Sequence, residues 1–329
     1  MKSILLLSFI VLVASYLLTW ILKNFYQKKL IIDIPNERSS HSVPTPRGGG
    51  LAIVLTWYAG LTVLFLLNRI DPKLYYALLS GILLAAISLI DDVTDLKPSI
   101  RFSVQFITSV IAFFLLGGFQ NLIIGGLHFD YKLVIYPLVI LGMVWFLNLY
   151  NFLDGIDGYA SVEAISIALI LLVLTGNPVL AVLIASTLGF LIWNWPKAKI
   201  FMGDVGSTQL GFIIVVIGIY FHNINELAFV DWIILTSPFW FDATLTLFRR
   251  LRNKETLSQA HRKHIYQRLF QSGFSQQRID LFLVLINLCL FFIVLISREY
   301  PLLQIPLLLV SMLCMYLIAV YADKRKPFL

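Results

Sequence analysis

Apolar residues in this chain run in long unbroken stretches separated by short polar connections. Strict alternation would indicate half-buried strands, and a 3.6-residue stripe would indicate helices around a soluble core. Runs of about 20 apolar residues, with a range of about 17–25, indicate helices that cross a bilayer. Eleven stretches qualify: 3–22, 49–67, 74–90, 102–118, 133–149, 160–176, 178–193, 209–222, 229–248, 279–297 and 301–321. The count becomes ten if 160–176 and 178–193 form a hairpin that does not fully cross, and 209–222 is the shortest run. Only helices and closed barrels satisfy their own backbone groups inside hydrocarbon. Continuous rather than alternating runs decide for helices. The expected fold is all-α: a polytopic integral membrane protein, residues 1–329 forming a single transmembrane catalytic domain.

Composition agrees, with 59% apolar and 13% charged residues against roughly 25% charged in a soluble domain. Basic residues follow the first apolar run (Lys23, Lys28, Lys29), which marks a retained helix and not a cleaved signal peptide. Of the 25 lysines and arginines, all but Lys2, Arg69, Lys73, Lys132 and Arg298 fall on the odd-numbered connections or after the last helix. The positive-inside rule then puts the N-terminus outside and the C-terminus in the cytoplasm. The net charge of +7 follows from that asymmetry and the anionic leaflet it faces, so no nucleic-acid partner is required. Cys289 and Cys314 lie within predicted helices and read as small apolar core residues.

The same division sorts the polar chemistry. "PNERSSHSVPTPRGGG", "DDVTDLKPSIR", "NFLDGIDG", "NWPKAKIFMGDVGS" and "SQAHRKHIYQRL" all fall on the cytoplasmic side, which suggests one composite site. Asp91 and Asp92 end the third apolar run, Asp154 and Asp157 open the sixth helix, and Asp204 lies just before the eighth. Carboxylates at a membrane edge are costly and usually functional. Helix capping, worth roughly 0.3–1 kcal/mol, could account for Asp157 or Asp204, but the helix dipole disfavours Asp91 and Asp92 at a C-terminus. A shared cation would keep several of them ionised, and an oxygen-rich setting without sulfur selects Mg²⁺ or Mn²⁺. Asn148 and Asn151 could complete its shell, and the glycines of "DGIDG" and "MGDVGS" permit close backbone approach.

On a helix, His261, His264 and Arg268 would share one face. With Arg262 they fit phosphate recognition better than a lysine patch for anionic lipid, and no third ligand is available for zinc. In "SSHSVPTPRGGG", His41, Arg47 and Gly48–Gly50 precede the second helix, where a glycine run either cradles an anion or lets helices pack. No GxxxxGK[ST] loop occurs, which excludes that class of nucleotide hydrolase.

"DDVTD", "NLYNFLDGIDGYA", "FMGDVGS" and "HRKHIYQRL", in this order between about 35 and 268, resemble the polyprenyl-phosphate N-acetylhexosamine-1-phosphate transferases of glycosyltransferase family 4. These bacterial membrane enzymes start O-antigen, enterobacterial common antigen and wall teichoic acid chains, and include the peptidoglycan translocase. The resemblance implies transfer of a sugar-1-phosphate from a UDP-amino sugar (FucNAc, QuiNAc or GlcNAc) to undecaprenyl phosphate, with release of UMP. It implies catalytic roles for Asp91 and Asp92, one of them deprotonating or positioning the lipid phosphate, and for Asp154 and Asp157 near nucleotide and metal. Asn151 and Asp204 match Mg²⁺ positions. His261, Arg262 and His264 match a phosphosugar-binding motif, and Asn148 and Arg47 complete the substrate-binding set. The translocase has adjacent histidines where this chain has His-Arg-Lys-His, which argues against a MurNAc-pentapeptide donor, and "PNERSSHSVPTPRGGG" and "HRKHIYQRL" look most like the O-antigen-initiating members. The implied setting is the bacterial inner membrane with the site on its cytoplasmic face, with lipid and a second copy in a homodimer as further partners.

Two rivals fit less well. A CDP-alcohol phosphatidyltransferase needs an arginine and a later aspartate pair that "DGIDGYASVEA" lacks. A cation-coupled transporter would place its charges near mid-bilayer in repeated halves, and no repeat appears.

Overall fold

A computed structural model describes residues 2–29, 32–33, 35, 43–94, 96–120, 122–257, 259 and 261–328. Arg38, His41 and Asp95 lie outside the described residues. The helices are α1 (Lys2–Lys29), α2 (Gly50–Leu66), α3 (Pro72–Leu79), α4 (Ile82–Thr94), α5 (Pro98–Leu115), α6 (Lys132–Phe152) and α7 (Tyr159–Thr175). They continue with α8 (Pro178–Asn194), α9 (Asp204–Asn223), α10 (Phe229–Leu235), α11 (Ser237–Arg252), α12 (Ile265–Gln271), α13 (Gln276–Glu299) and α14 (Gln304–Arg325). Helix accounts for 76% of the described residues.

Every apolar stretch is helical. Seven spans are long and apolar enough to cross a membrane, counting α3 and α4 together, among the described residues. α2, α7 and α8 are apolar but shorter, at 17 residues each, or about 25 Å against a hydrocarbon core of about 30 Å. Two runs are broken. The third divides at Ser80–Gly81, and the ninth divides at Thr236, where Pro238 opens α11. Two small antiparallel pairs interrupt the all-helical picture: β1 (Ile32–Asp33) with β2 (Thr45–Pro46), and β3 (Leu122–Ile124) with β4 (Leu127–Phe129). The second closes through Gly125–Gly126, a two-glycine hairpin turn.

The run that looked shortest becomes the central helix. α9 starts at Asp204 because "DVGST" joins it, reaching 20 residues, and its Val205–His222 segment is buried throughout. It packs on α6, α4 and α2. Buried side-chain hydrogen bonds tie the bundle together, as expected between membrane helices: Gln209 to Tyr58 at 2.6 Å, Ser88 with Thr208 at 3.0 Å, and Asn287 of α13 to Glu163 of α7 at 2.5 Å. Cys289 and Cys314 are free thiols, but they are exposed and line an apolar cavity between α11, α12, α13 and α14. The expectation of core positions for them is corrected.

Candidate active site

The N-terminus of α9 organises the polar end. Gly203, at φ 76°, turns the chain so that Asp204 becomes the first helical residue; few other residues adopt that conformation without strain. The freed amides of Asp204 and Val205 donate to Asp92 Oδ1 and Oδ2 at 3.1 and 3.2 Å. Asp92 therefore does cap a helix, that of α9 and not its own, which corrects the expectation that capping could not explain it. The carboxylate sits where the positive end of the α9 dipole stabilises it.

Arg47 joins the two acids. One guanidinium nitrogen lies 2.5 Å from Asp204 Oδ1 and 3.1 Å from Asp92 Oδ1. The strand before it is laced to the "FMGD" loop: Phe201 N donates to Pro46 O, Gly49 N to Phe201 O and Gly50 N to Met202 O, all at 2.8–2.9 Å. The amides of Gly49 and Gly50 thus serve the protein's own carbonyls and not an anion. Gly50 lies against Gly206, and a Cβ there would come within 2.4 Å of the Gly206 Cα, so the run packs α2 on α9.

Asp91 accepts from Leu96 N and from Arg101, both at 2.8 Å, and Arg101 also lies 3.5 Å from Asp204 Oδ2. Asn151 donates to Asp204 Oδ2 at 3.5 Å and accepts from Ser207 Oγ at 2.7 Å. Asn148 donates to Gln105 Oε1 at 2.7 Å. Asp157 accepts from Ala198 N at 2.9 Å. Both Asp154 and Asp157 precede α7 instead of opening it, in the loop between α6 and α7. Burial, and then the charges of Asp204, Asp92 and Asp157 acting against Arg47, hold the Asp154 carboxyl well above the usual carboxylate range.

The basic motif is not one helix face. α12 begins at Ile265, so His261, Arg262 and His264 lie on the loop before it. Arg268 turns away and binds Asp323 together with Arg249, and donates to Lys326 O at 3.1 Å. The ring of Phe328 lies beneath Arg249, Lys263 and Arg268, each 5.3–5.5 Å from its centre. Buried Arg250 folds the loop by donating to Glu255 at 3.1 Å and to the carbonyls of Thr256, Leu257 and Gln259 at 2.6–3.2 Å. The result sets the His261 and His264 rings 4.9 Å apart. Burial, His264 and Arg250 push the His261 imidazole down to about 3.

Asp91, Asn148, Asn151, Asp204, His261 and His264 all line one cavity of 510 Å³. Asp92 and Arg47 reach it through Asp204, whereas Asp154, Asp157 and Arg262 are not among its lining residues. Arg101, Gln105 and Gln267 also line it and were not anticipated as site residues. Arg101 had been visible only as one of the basic residues behind the charge asymmetry, and Ser207 only as the end of "FMGDVGS". Among the described residues no three His, Cys, Asp or Glu side chains are grouped to hold a metal ion. Arg47 and Arg101 provide the positive charge between the acids.

The model of glycosyl transferase family 4 matches residues 74–222. A probable undecaprenyl-phosphate N-acetylglucosaminyl 1-phosphate transferase of Bacillus subtilis (strain 168) is 31% identical over 283 residues, covering 82% of this chain and 78% of the relative. The chain belongs to glycosyl transferase family 4, the polyprenyl-phosphate hexosamine-1-phosphate transferases. Other similar members are an undecaprenyl-phosphate alpha-N-acetylglucosaminyl 1-phosphate transferase of Thermotoga maritima, at 29% identity with 78% and 79% covered, and a decaprenyl-phosphate N-acetylglucosaminephosphotransferase of Mycobacterium leprae, at 28% with 83% and 78% covered. The family match runs from α3 to the end of α9. It thus contains every aspartate and asparagine of the candidate site and stops before the histidine loop.

Proposed function

We propose that this protein, as one transmembrane catalytic domain over 1–329, transfers an N-acetylhexosamine-1-phosphate from its UDP-sugar to undecaprenyl phosphate. A lipid phosphate oxygen attacks the sugar-linked β-phosphorus, the bond between the α- and β-phosphates breaks, and UMP leaves with the electron pair. The observation that carries this reading is the single cavity bounded by Asp91, Asp204, Asn151, Arg101, His261 and His264, drawn from segments far apart in the chain. The names of the relatives favour GlcNAc among the donor sugars. The O-antigen-initiating use of FucNAc or QuiNAc is the second reading, resting on the likeness of "PNERSSHSVPTPRGGG" and "HRKHIYQRL" to such members.

Two anions must meet in this reaction, so charge neutralisation and in-line positioning are its main requirements. Asp204, Asn151 and Asp92 offer only oxygen, which fits Mg²⁺, with Mn²⁺ as a substitute. Asp204 with Asn151 would hold the ion, and it would offset charge on the donor diphosphate. Arg47 and Arg101, with 40% and 37% of their side chains exposed, can turn from the acids towards phosphate oxygens. Asp91, facing the cavity, is suited to orient the lipid phosphate, whereas Asp92 holds the α9 amides in place. His261 and His264 would meet the phosphosugar from the other wall. The reading includes the inner membrane, a cytoplasmic site, an outside N-terminus and a homodimer. Native mass spectrometry of the detergent-solubilised protein tests the homodimer.

Detergent-solubilised protein should release UMP from UDP-GlcNAc and undecaprenyl phosphate, and should stop when EDTA removes divalent cation. A panel containing UDP-FucNAc and UDP-QuiNAc ranks the sugars. No UMP from any of these donors would sink the assignment.

A further inference from the structure

We propose that Asp242 of α11 is a positioning residue for His264, fixing the ring's orientation and its proton-bearing nitrogen. This rests on the reading that His264 meets the phosphosugar. Asp242 is 3% exposed and faces the start of α12. Its Oδ1 accepts from Ile265 N at 2.9 Å and from Thr246 Oγ1 at 3.1 Å, and its Oδ2 accepts from Tyr266 N at 3.4 Å. The backbone on the C-terminal side of His264 is therefore anchored to α11. The same Oδ1 lies 3.4 Å from His264 Nδ1.

His264 is 2% exposed, its Nδ1 is buried without a formed hydrogen bond, and its side chain also faces the Gln267 amide in the capping box that opens α12. Tyr266 stacks on it at 5.9 Å and the His261 ring lies 4.9 Å away. Arg250 of α11 and Glu255, Arg262 and Lys263 lie on the same side of the cavity, and Asp91 from α4, Arg101 from α5 and Asp204 from α9 line its other walls. Among the described residues, Asp242 is thus the carboxylate within reach of Nδ1. At 3.4 Å the contact is wider than a formed N–H···O bond, and catalytic contacts of this kind tighten when substrate is bound. A carboxylate beside Nδ1 keeps the proton there and leaves Nε2 for the cavity.

Capping of α12 alone would also require Asp242, so the test must read the imidazole itself. Full-length protein in detergent, labelled with ¹⁵N-histidine, gives the tautomer of each of the five histidines, with His264→Gln assigning the signal. Wild-type His264, when neutral, should carry its proton on Nδ1. In Asp242→Asn, which keeps an oxygen for the amides, the share of neutral His264 protonated on Nδ1 should fall, and kcat/KM should fall with it. A wild-type proton on Nε2, or an unchanged tautomer in Asp242→Asn, would overturn the inference. If Asp242→Asn does not fold, the wild-type tautomer still decides. If the wild type releases no UMP, the parent reading fails, while the tautomer continues to judge the pairing.

Discussion

At the end of the bundle away from the cavity, Asn223 donates to Gly118 O at 2.8 Å, Arg298 donates to Glu226 O at 2.9 Å, and Asp71 caps α3 by accepting from Lys73 N at 2.7 Å. Each closes a turn or a helix end against backbone. At the cavity end, charged side chains meet other charged side chains, as when Arg47 meets Asp204 across 157 residues of sequence. The two ends of α9, separated by about 30 Å, thus use polar residues for different purposes. One end completes the fold with backbone partners. The other holds like charges together with arginines that are still partly solvated, an arrangement that leaves them free to exchange partners with an anionic substrate.

Substitutions at the two ends should separate accordingly. Asp204→Asn should lose UMP release by roughly a hundredfold or more, the scale of removing one transition-state-stabilising group, while inserting into membranes with an unchanged melting temperature in detergent. Full turnover there would erase the distinction. Gly50→Ala should reduce stability by about 1–3 kcal/mol through overpacking, because its Cβ meets Gly206 backbone; the loss appears as a lower denaturation midpoint. Asn223→Ala, at the far end, should cost about 1 kcal/mol for lost hydrogen bonds and leave the kcat of the remaining folded enzyme at the wild-type value. The smallest effect near neutral pH concerns His261. Its folded-state value of about 3 lies below the ordinary 6.5, so the unfolded chain binds the proton first. Its contribution to stability is then complete above pH 6.5 and declines as pH falls towards 3. Melting curves at pH 7, 6 and 5 should show this decline weakened in His261→Gln.

The sequence located the helices because unbroken apolar runs have few other outcomes. It missed the N-terminal turn of α9, since Asp204–Thr208 is polar and gains its burial only from α2, α4 and α6. The breaks at Gly81 and Pro238 were marked by residues that commonly end helices, although run length concealed them. Asp91, Asp204, Asn148, Asn151, His261 and His264 were legible as residue types at suggestive places, and they do share a cavity. Their partners were not legible. That Asp92 caps another helix, and that Arg101 bridges Asp91 and Asp204, depends on how α4, α5 and α9 pack. The helical reading of His261–Arg268 failed because Arg250 gathers the preceding carbonyls and delays the first helical turn to Ile265.

The grip of Arg249, Lys263 and Arg268 on Asp323 and Phe328 gives the last transmembrane helix a mechanical link to the histidines. A fused tag, a proteolytic nick or a bound protein that pulls on this segment would be felt at Lys263, the immediate neighbour of His264. The final turn of α14 is therefore a handle on the cavity wall, and moving it offers a way to tune the enzyme without touching any residue that meets its substrates.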